Sequence, residues 1–233
     1  MRPVNKGAYI ADFRQHGDAK PELIARLGPF CSYCEAPAAA QHLDVEHIYS
    51  QSAYPGRKLK WRNYLLACST CNTYKSKYLG NGKQPSLFKR ILWPHIDNTF
   101  RALQYTPDGR VVPAPSVPAG RAPLAQAAIE MAGLMLTQSI AADYHALGVA
   151  YSHIKKREEA WEVAERALDA YAENPSARMT DHILDSCRST GYFSIWMTVF
   201  SAHPAVLIRF VDACKAAPTC FDGVGGAIAR GRT

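Results

Sequence analysis

The chain has 233 residues, is 48% hydrophobic, and carries a formal net charge of +7 with a mean hydropathy of −0.20. That length suffices for one large domain or two small ones. No apolar run approaches the roughly 18 residues of a membrane span, and Met1–Lys6 leads into no apolar signal segment, so a cytoplasmic protein without membrane contact is expected.

In chain order, residues 1–17 read as a polar arm with little regular structure. Asp18 to Leu27 reads as a short helix, with Pro21 in its first turn and Gly28 after it. Cys31-Ser32-Tyr33-Cys34 follows, and Cys68-Ser69-Thr70-Cys71 repeats the spacing after 33 intervening residues. The chain has seven cysteines, an odd count that argues against a disulfide framework in a non-secreted protein. Two such pairs suit one tetrahedral Zn²⁺ held by Cys31, Cys34, Cys68 and Cys71. A redox motif needs one pair and a βαβ context, which is not seen.

Between the pairs, His42 to Ile48 reads as a strand and Tyr49 to Lys60 as a loop turning at Pro55-Gly56. Trp61 to Ala67 is a second strand or the lead into a helix. A helix is expected from Ser69, capped by Ser69 or Thr70, to about Tyr78, where Leu79-Gly80-Asn81-Gly82 breaks it. Asn98 to Tyr105 and Arg110 to Val112 read as strands joined at Pro107-Asp108-Gly109. Residues 113–123 hold four prolines and divide the chain into an N-terminal part, 1–112, and a helical part, 124–233. In the latter, helices are expected over Leu124–Met135, Lys155–Tyr171, Thr180–Cys187, Ile195–Phe200 and Pro204–Cys214. Phe221 to Thr233 reads as a loose tail.

Charge is unevenly placed. From Ile48 to Ile96 there is no Asp or Glu, and the span carries nine cations, among them Arg57, Lys58, Lys60, Arg62, Lys75 and Lys77. Nine exceeds the net +7, so the remainder of the chain is net negative. Aromatics from Tyr49 to Trp93 interleave with these cations. A basic stripe with aromatic faces suits a polyanion such as DNA.

His47 has the pKa range to take a proton from water near neutrality. Glu46 is a hard oxygen ligand suited to Mg²⁺ or Mn²⁺, and Asn72 offers a weaker one of the same kind. Asn63 can bond backbone on both sides of a loop. Neighbours on a regular strand point to opposite faces, so Glu46 and His47 share a site only if the strand kinks or ends there.

The pattern Cys-x-x-Cys, Glu46-His47, Asn63, then Cys-x-x-Cys-Asn72-x-x-Lys75 resembles the HNH endonuclease family, of ββα-metal architecture, in its subgroup with a four-cysteine structural zinc. The resemblance implies an α+β fold with the nuclease core followed by helices. It implies His47 as general base, Asn63 as the residue shaping the loop, and Glu46 and Asn72 as ligands of the catalytic divalent ion. Family members commonly have Asp where Glu46 stands. The implied products are a 5′-phosphate and a 3′-hydroxyl. More loosely, Met1-Arg2-x-x-x-Lys6, Cys31-x-Tyr33-Cys34-Glu35 and a helical second half are similar to the HNH subunits of Septu-type and retron-associated anti-phage defence systems. That similarity implies an ATPase partner, with residues 124–233 as a docking or dimerising module. The competing expectation is a zinc-stapled nucleic-acid-binding protein without catalysis.

Overall fold

The computed structural model describes residues 1–9, 13–80, 83–135 and 144–233, with backbone alone for 144–152. Residues 10–12 of the expected arm and Asn81-Gly82 of the expected helix break lie outside the described residues. The fold is α+β. Helix α1 (Lys20–Leu27) has Pro21 in its first turn and stops at Gly28, whose φ of 72° lies in the left-handed region. Strands β1 (Leu43–His47) and β2 (Tyr64–Cys68) pair antiparallel, with Leu43 opposite Cys68 and His47 opposite Tyr64. Helix α2 (Ser69–Leu79) leaves β2 directly. Cys68 is its N-cap without a side-chain bond, so neither Ser69 nor Thr70 caps it. The open choice over Trp61–Ala67 resolves as one 3-10 turn, Trp61–Asn63, and then β2.

Helix α3 (Pro85–Lys89) follows. The strand expected from Asn98 is a short helix first, α4 (Thr99–Ala102), because the Asn98 side chain accepts the Arg101 N–H and caps it. Strand β3 (Leu103–Tyr105) then pairs antiparallel with β4 (Val111–Pro113). The helical part comprises α5 (Ala122–Met131), α6 (Tyr144–Glu173), α7 (Ala177–Thr190), α8 (Phe193–Val199) and α9 (Pro204–Ala213). Among the described residues no helix is long and apolar enough to cross a membrane.

Buried side chains of both parts form one continuous core. The arm is not the solvated segment its composition suggests, since Met1 to Val4 are buried. Arg2 donates to the carbonyls of Cys214, Lys215 (2.8 Å) and Leu27 (2.8 Å). One guanidinium thus serves the C-terminal carbonyls that end α1 and α9, where a cation is favoured. The Met1 α-ammonium lies 2.8 Å from Glu35 Oε1. Glu35 also accepts from Tyr105 Oη (2.8 Å) and from the N–H and Oγ of Ser194 (2.7 Å each). Burial pushes the Glu35 carboxyl up, but the Met1 charge and these hydrogen bonds outweigh it and hold the group below its usual range. The helical part approaches closely here: a Cβ on Gly191, at φ 76°, would fall 2.8 Å from the Glu35 carbonyl oxygen.

The tail expected to be loose is held. Asn98 donates its amide to the carbonyls of Cys220 and Ile228, 2.8 Å each. Arg232 pairs with fully buried Asp97 at 2.8 Å and reaches the carbonyls of Lys89 and Ile91. Composition read the glycines and arginines as solvated, yet the arginines find buried acceptors far away in sequence. Asp97→Ala is expected to cost about 1–3 kcal/mol through the unpaired groups it leaves. It should also open residues 228–233 to carboxypeptidase; a digestion rate equal to wild type would contradict the clasp.

Candidate active site and metal centre

The four cysteines converge. The Sγ atoms of Cys31, Cys34, Cys68 and Cys71 all lie within 4.8 Å of one another, and Cys34 and Cys68 are 3.9 Å apart. Four thiolates around zinc, with Zn–S near 2.3 Å, stand about 3.8 Å apart. The donor set fits that ion. The first pair sits on a knuckle closed by Glu35 N–H to the Cys31 carbonyl (3.1 Å) and tied to β2 by Ser32 N–H to the Leu66 carbonyl (2.8 Å). The second pair comes from the last residue of β2 and the first turn of α2, so the metal would staple the knuckle to the strand–helix junction.

His47 ends β1, half-buried, on the wall of a cavity of about 610 Å³ shared with His16, Asp44, Glu46, Asn72 and Lys75. Its Nε2 lies 3.0 Å from the Lys58 carbonyl oxygen. A carbonyl only accepts, so Nε2 carries the proton and Nδ1 keeps the lone pair. Burial holds the His47 imidazole below the usual pKa; the Lys58 carbonyl and Glu46 oppose that, while His16 and Lys75 add to it. The carbonyl is fixed in turn by Tyr64 Oη, 2.6 Å away.

The loop carrying Lys58 is held by Asn63. The Asn63 Oδ1 accepts the Tyr49 N–H (2.7 Å), and Nδ2 donates to the carbonyls of Tyr49 (2.9 Å) and Arg57 (3.2 Å). Lys6, from the arm, donates to the carbonyls of Trp61 (2.8 Å), Arg62 (3.2 Å) and Tyr64 around it. Burial pushes the Lys6 ammonium down to about 7, against the attraction of Glu46.

Glu46 is 1% exposed and faces α2. Its Oε2 accepts from Tyr33 Oη at 2.7 Å. Its Oε1 lies against the Lys75 ammonium yet receives no well-directed hydrogen bond. A buried carboxylate oxygen free of directed hydrogen bonds keeps lone pairs for a hard divalent ion, which would compete there with the Lys75 ammonium. The Asn72 amide nitrogen bonds Asp44 Oδ2 at 3.1 Å, which leaves the Asn72 carbonyl oxygen for a ligand. Glu46, Asn72 and Asp44 therefore fit a hard cation.

Lys75 departs from the sequence expectation of a phosphate-facing cation. It is 4% exposed, paired with Glu46, and donates to the His47 carbonyl. Arg57, Lys58, Lys60, Arg62 and Lys77 are exposed, with the Arg57 guanidinium 4.1 Å from the Tyr49 ring centroid. The aromatic half of the expected stripe is largely spent inside: Trp61, Tyr64, Phe88 and Trp93 are buried, and Tyr49 stacks on Phe88 at 4.0 Å.

Sequence reasoning passed over Asp44, Tyr33 and His16. Asp44 lies two residues before Glu46, and strand alternation could have placed it on the same face. Tyr33 and His16 carried no such local signal.

No curated protein matches the chain. Residues 31–77 match the family model for HNH endonuclease, the segment that holds the four cysteines, His47, Asn63 and Asn72. That matched segment spans the β1–β2–α2 unit, so this part of the chain is similar to an HNH endonuclease.

Proposed function

We propose that the protein is a divalent-metal-dependent endonuclease that hydrolyses phosphodiester bonds of DNA. The observation that carries this reading is His47. Its Nε2–H is tied to the Lys58 carbonyl, and its ring lines a cavity shared with Glu46 and Asn72. A binding module has no need of an imidazole held in one tautomer beside cation ligands. Nδ1 of His47 takes a proton from a water placed in line with the phosphorus; the water oxygen bonds to phosphorus as the P–O3′ bond breaks, and the 3′-oxygen takes a proton from solvent, leaving a 5′-phosphate and a 3′-hydroxyl. Asn63 keeps the Lys58 carbonyl in place, and so keeps the tautomer. Glu46 and Asn72 would hold Mg²⁺ or Mn²⁺, which would supply charge neutralisation at the phosphate and the leaving oxygen. Arg57, Lys58, Lys60, Arg62 and Lys77 bind flanking phosphates.

Supercoiled plasmid incubated with Mg²⁺ or Mn²⁺ tests the reading. Wild type is expected to relax or linearise it, and His47→Ala to do so about 10²–10⁴-fold more slowly. Intact plasmid with wild type under every metal would leave the non-catalytic, zinc-stapled nucleic-acid-binding protein as the better description.

From the loose resemblance read in the sequence alone, we further propose a setting in cytoplasmic anti-phage defence. There residues 124–233 dock an ATPase partner or a second copy of the chain. Light scattering on a size-exclusion column checks this, and a strict monomer with nothing co-purifying argues against it.

A further inference from the structure

The cavity at His47 has a second imidazole. His16 opens a 3-10 turn, His16–Ala19, ahead of α1. That turn is fastened by Gln15 N–H to Asp18 Oδ2 (3.1 Å) and Asp18 N–H to the Gln15 carbonyl (3.2 Å). The His16 ring is half-buried, edge-on to His47 with centroids 5.1 Å apart. Its nitrogens hydrogen-bond to no described residue. Lys20, one turn on, lines the same cavity. His16 lies outside residues 31–77, so nothing in the family match assigns it.

Building on the nuclease reading, we propose that His16 is a catalytic residue that contacts the scissile phosphate, donating an N–H to a non-bridging oxygen as charge builds there. The distances support this. A water activated by His47 sits about 3 Å from the imidazole nitrogen and about 3 Å from phosphorus. The phosphate then lies within about 6 Å of His47 Nδ1, the range in which the His16 ring stands. The hard-oxygen ligands Asp44, Glu46 and Asn72 line the same cavity; Lys75 there is paired with Glu46 and Lys20 donates to the Ala40 carbonyl, while the His16 nitrogens are uncommitted among the described residues. A ring carried on a fastened turn and packed against His47 needs little reorganisation to reach the transition state.

The experiment compares plasmid cleavage by wild type, His47→Ala, His16→Ala, His16→Phe and His16→Gln at matched metal concentration. Zinc content and melting temperature are read for each. His16→Phe keeps a flat ring against His47 but has no N–H; His16→Gln keeps a donor. The expected result is a fall in kcat of about 100-fold for both His16→Ala and His16→Phe. KM and zinc content stay unchanged, and His16→Gln recovers part of the rate. If His16→Ala melts early, the Phe and Gln pair decides. His16→Phe cleaving like wild type, while His47→Ala is inactive, overturns this role and leaves the nuclease reading standing. Wild type no faster than His47→Ala overturns the nuclease reading itself, and this inference with it.

Discussion

Cys71→Ala is expected to release zinc and unfold the nuclease half of the chain. The four sulfurs join two pieces far apart in sequence, the knuckle after α1 and the β2–α2 junction. Both thiols of the first pair are buried, and so is Cys71. Without the ion, the knuckle is tied to the sheet by the Ser32–Leu66 backbone bond and the Tyr33–Glu46 side-chain bond, while four thiols crowd together. A structural zinc contributes folding free energy of order 10 kcal/mol, comparable to the whole stability of a typical domain, about 5–15 kcal/mol. Removing one thiolate should therefore show as loss of stoichiometric zinc and of the cooperative melt. The same is expected of Cys31→Ala, and of a chelator acting on the wild type. A Cys71→Ala protein that melts like wild type while holding no zinc would refute the staple.

Glu35→Ala should lower stability by about 3–5 kcal/mol, the usual cost of breaking a buried charge pair by removing one partner. For a chain of this size that corresponds to roughly 6–20 °C in melting temperature. The carboxylate gathers the Met1 ammonium, the Tyr105 hydroxyl and both donors of Ser194. Alanine leaves the Tyr105 hydroxyl and both Ser194 donors without this acceptor, and the buried Met1 ammonium with hydroxyl oxygens alone and no countercharge. Glu35 also stands at φ 69°, a left-handed conformation that only its surroundings make tolerable for a side chain with a Cβ. Glu35→Gln keeps the shape and some hydrogen bonds while removing the charge, so it should fall between alanine and wild type. Calorimetry on the three proteins decides; a Glu35→Ala melt within 2–3 °C of wild type, less than about 1 kcal/mol, rules the network out as a stabilising centre.

The zinc-stapled unit was legible because its signals are local. Cys-x-x-Cys spacing, the alternation over Leu43–His47 and the capping glycine at Gly80 each depend on neighbours a few residues away. The helical second half followed from periodicity in the same way, whereas the α+β class came with the family resemblance. What composition could not show is where charged side chains find partners. Lys75 reads as one more cation in a basic stripe, and only the packing of α2 on β1 reveals that it faces Glu46. Arg230 and Arg232 read as a solvated tail because their acceptors, near His95 and Asp97, lie 135 residues away. His16 is an unremarkable histidine in an arm until the fold brings it to His47.

Arg2 carries a consequence for the order in which the molecule is made. Its guanidinium bonds the Leu27 carbonyl, 25 residues away, and the Cys214 carbonyl, 212 residues away. A ribosome adding about 5–20 residues per second supplies the second partner roughly 10–40 s after the first. During that interval the cysteines from 31 to 71 are already out and able to collect their ion, while Arg2 and Glu35 wait for α8 and α9. The metal-bound nucleus can thus form early, and closure of the arm over it is a late, long-range step, the slow kind of contact in a folding reaction.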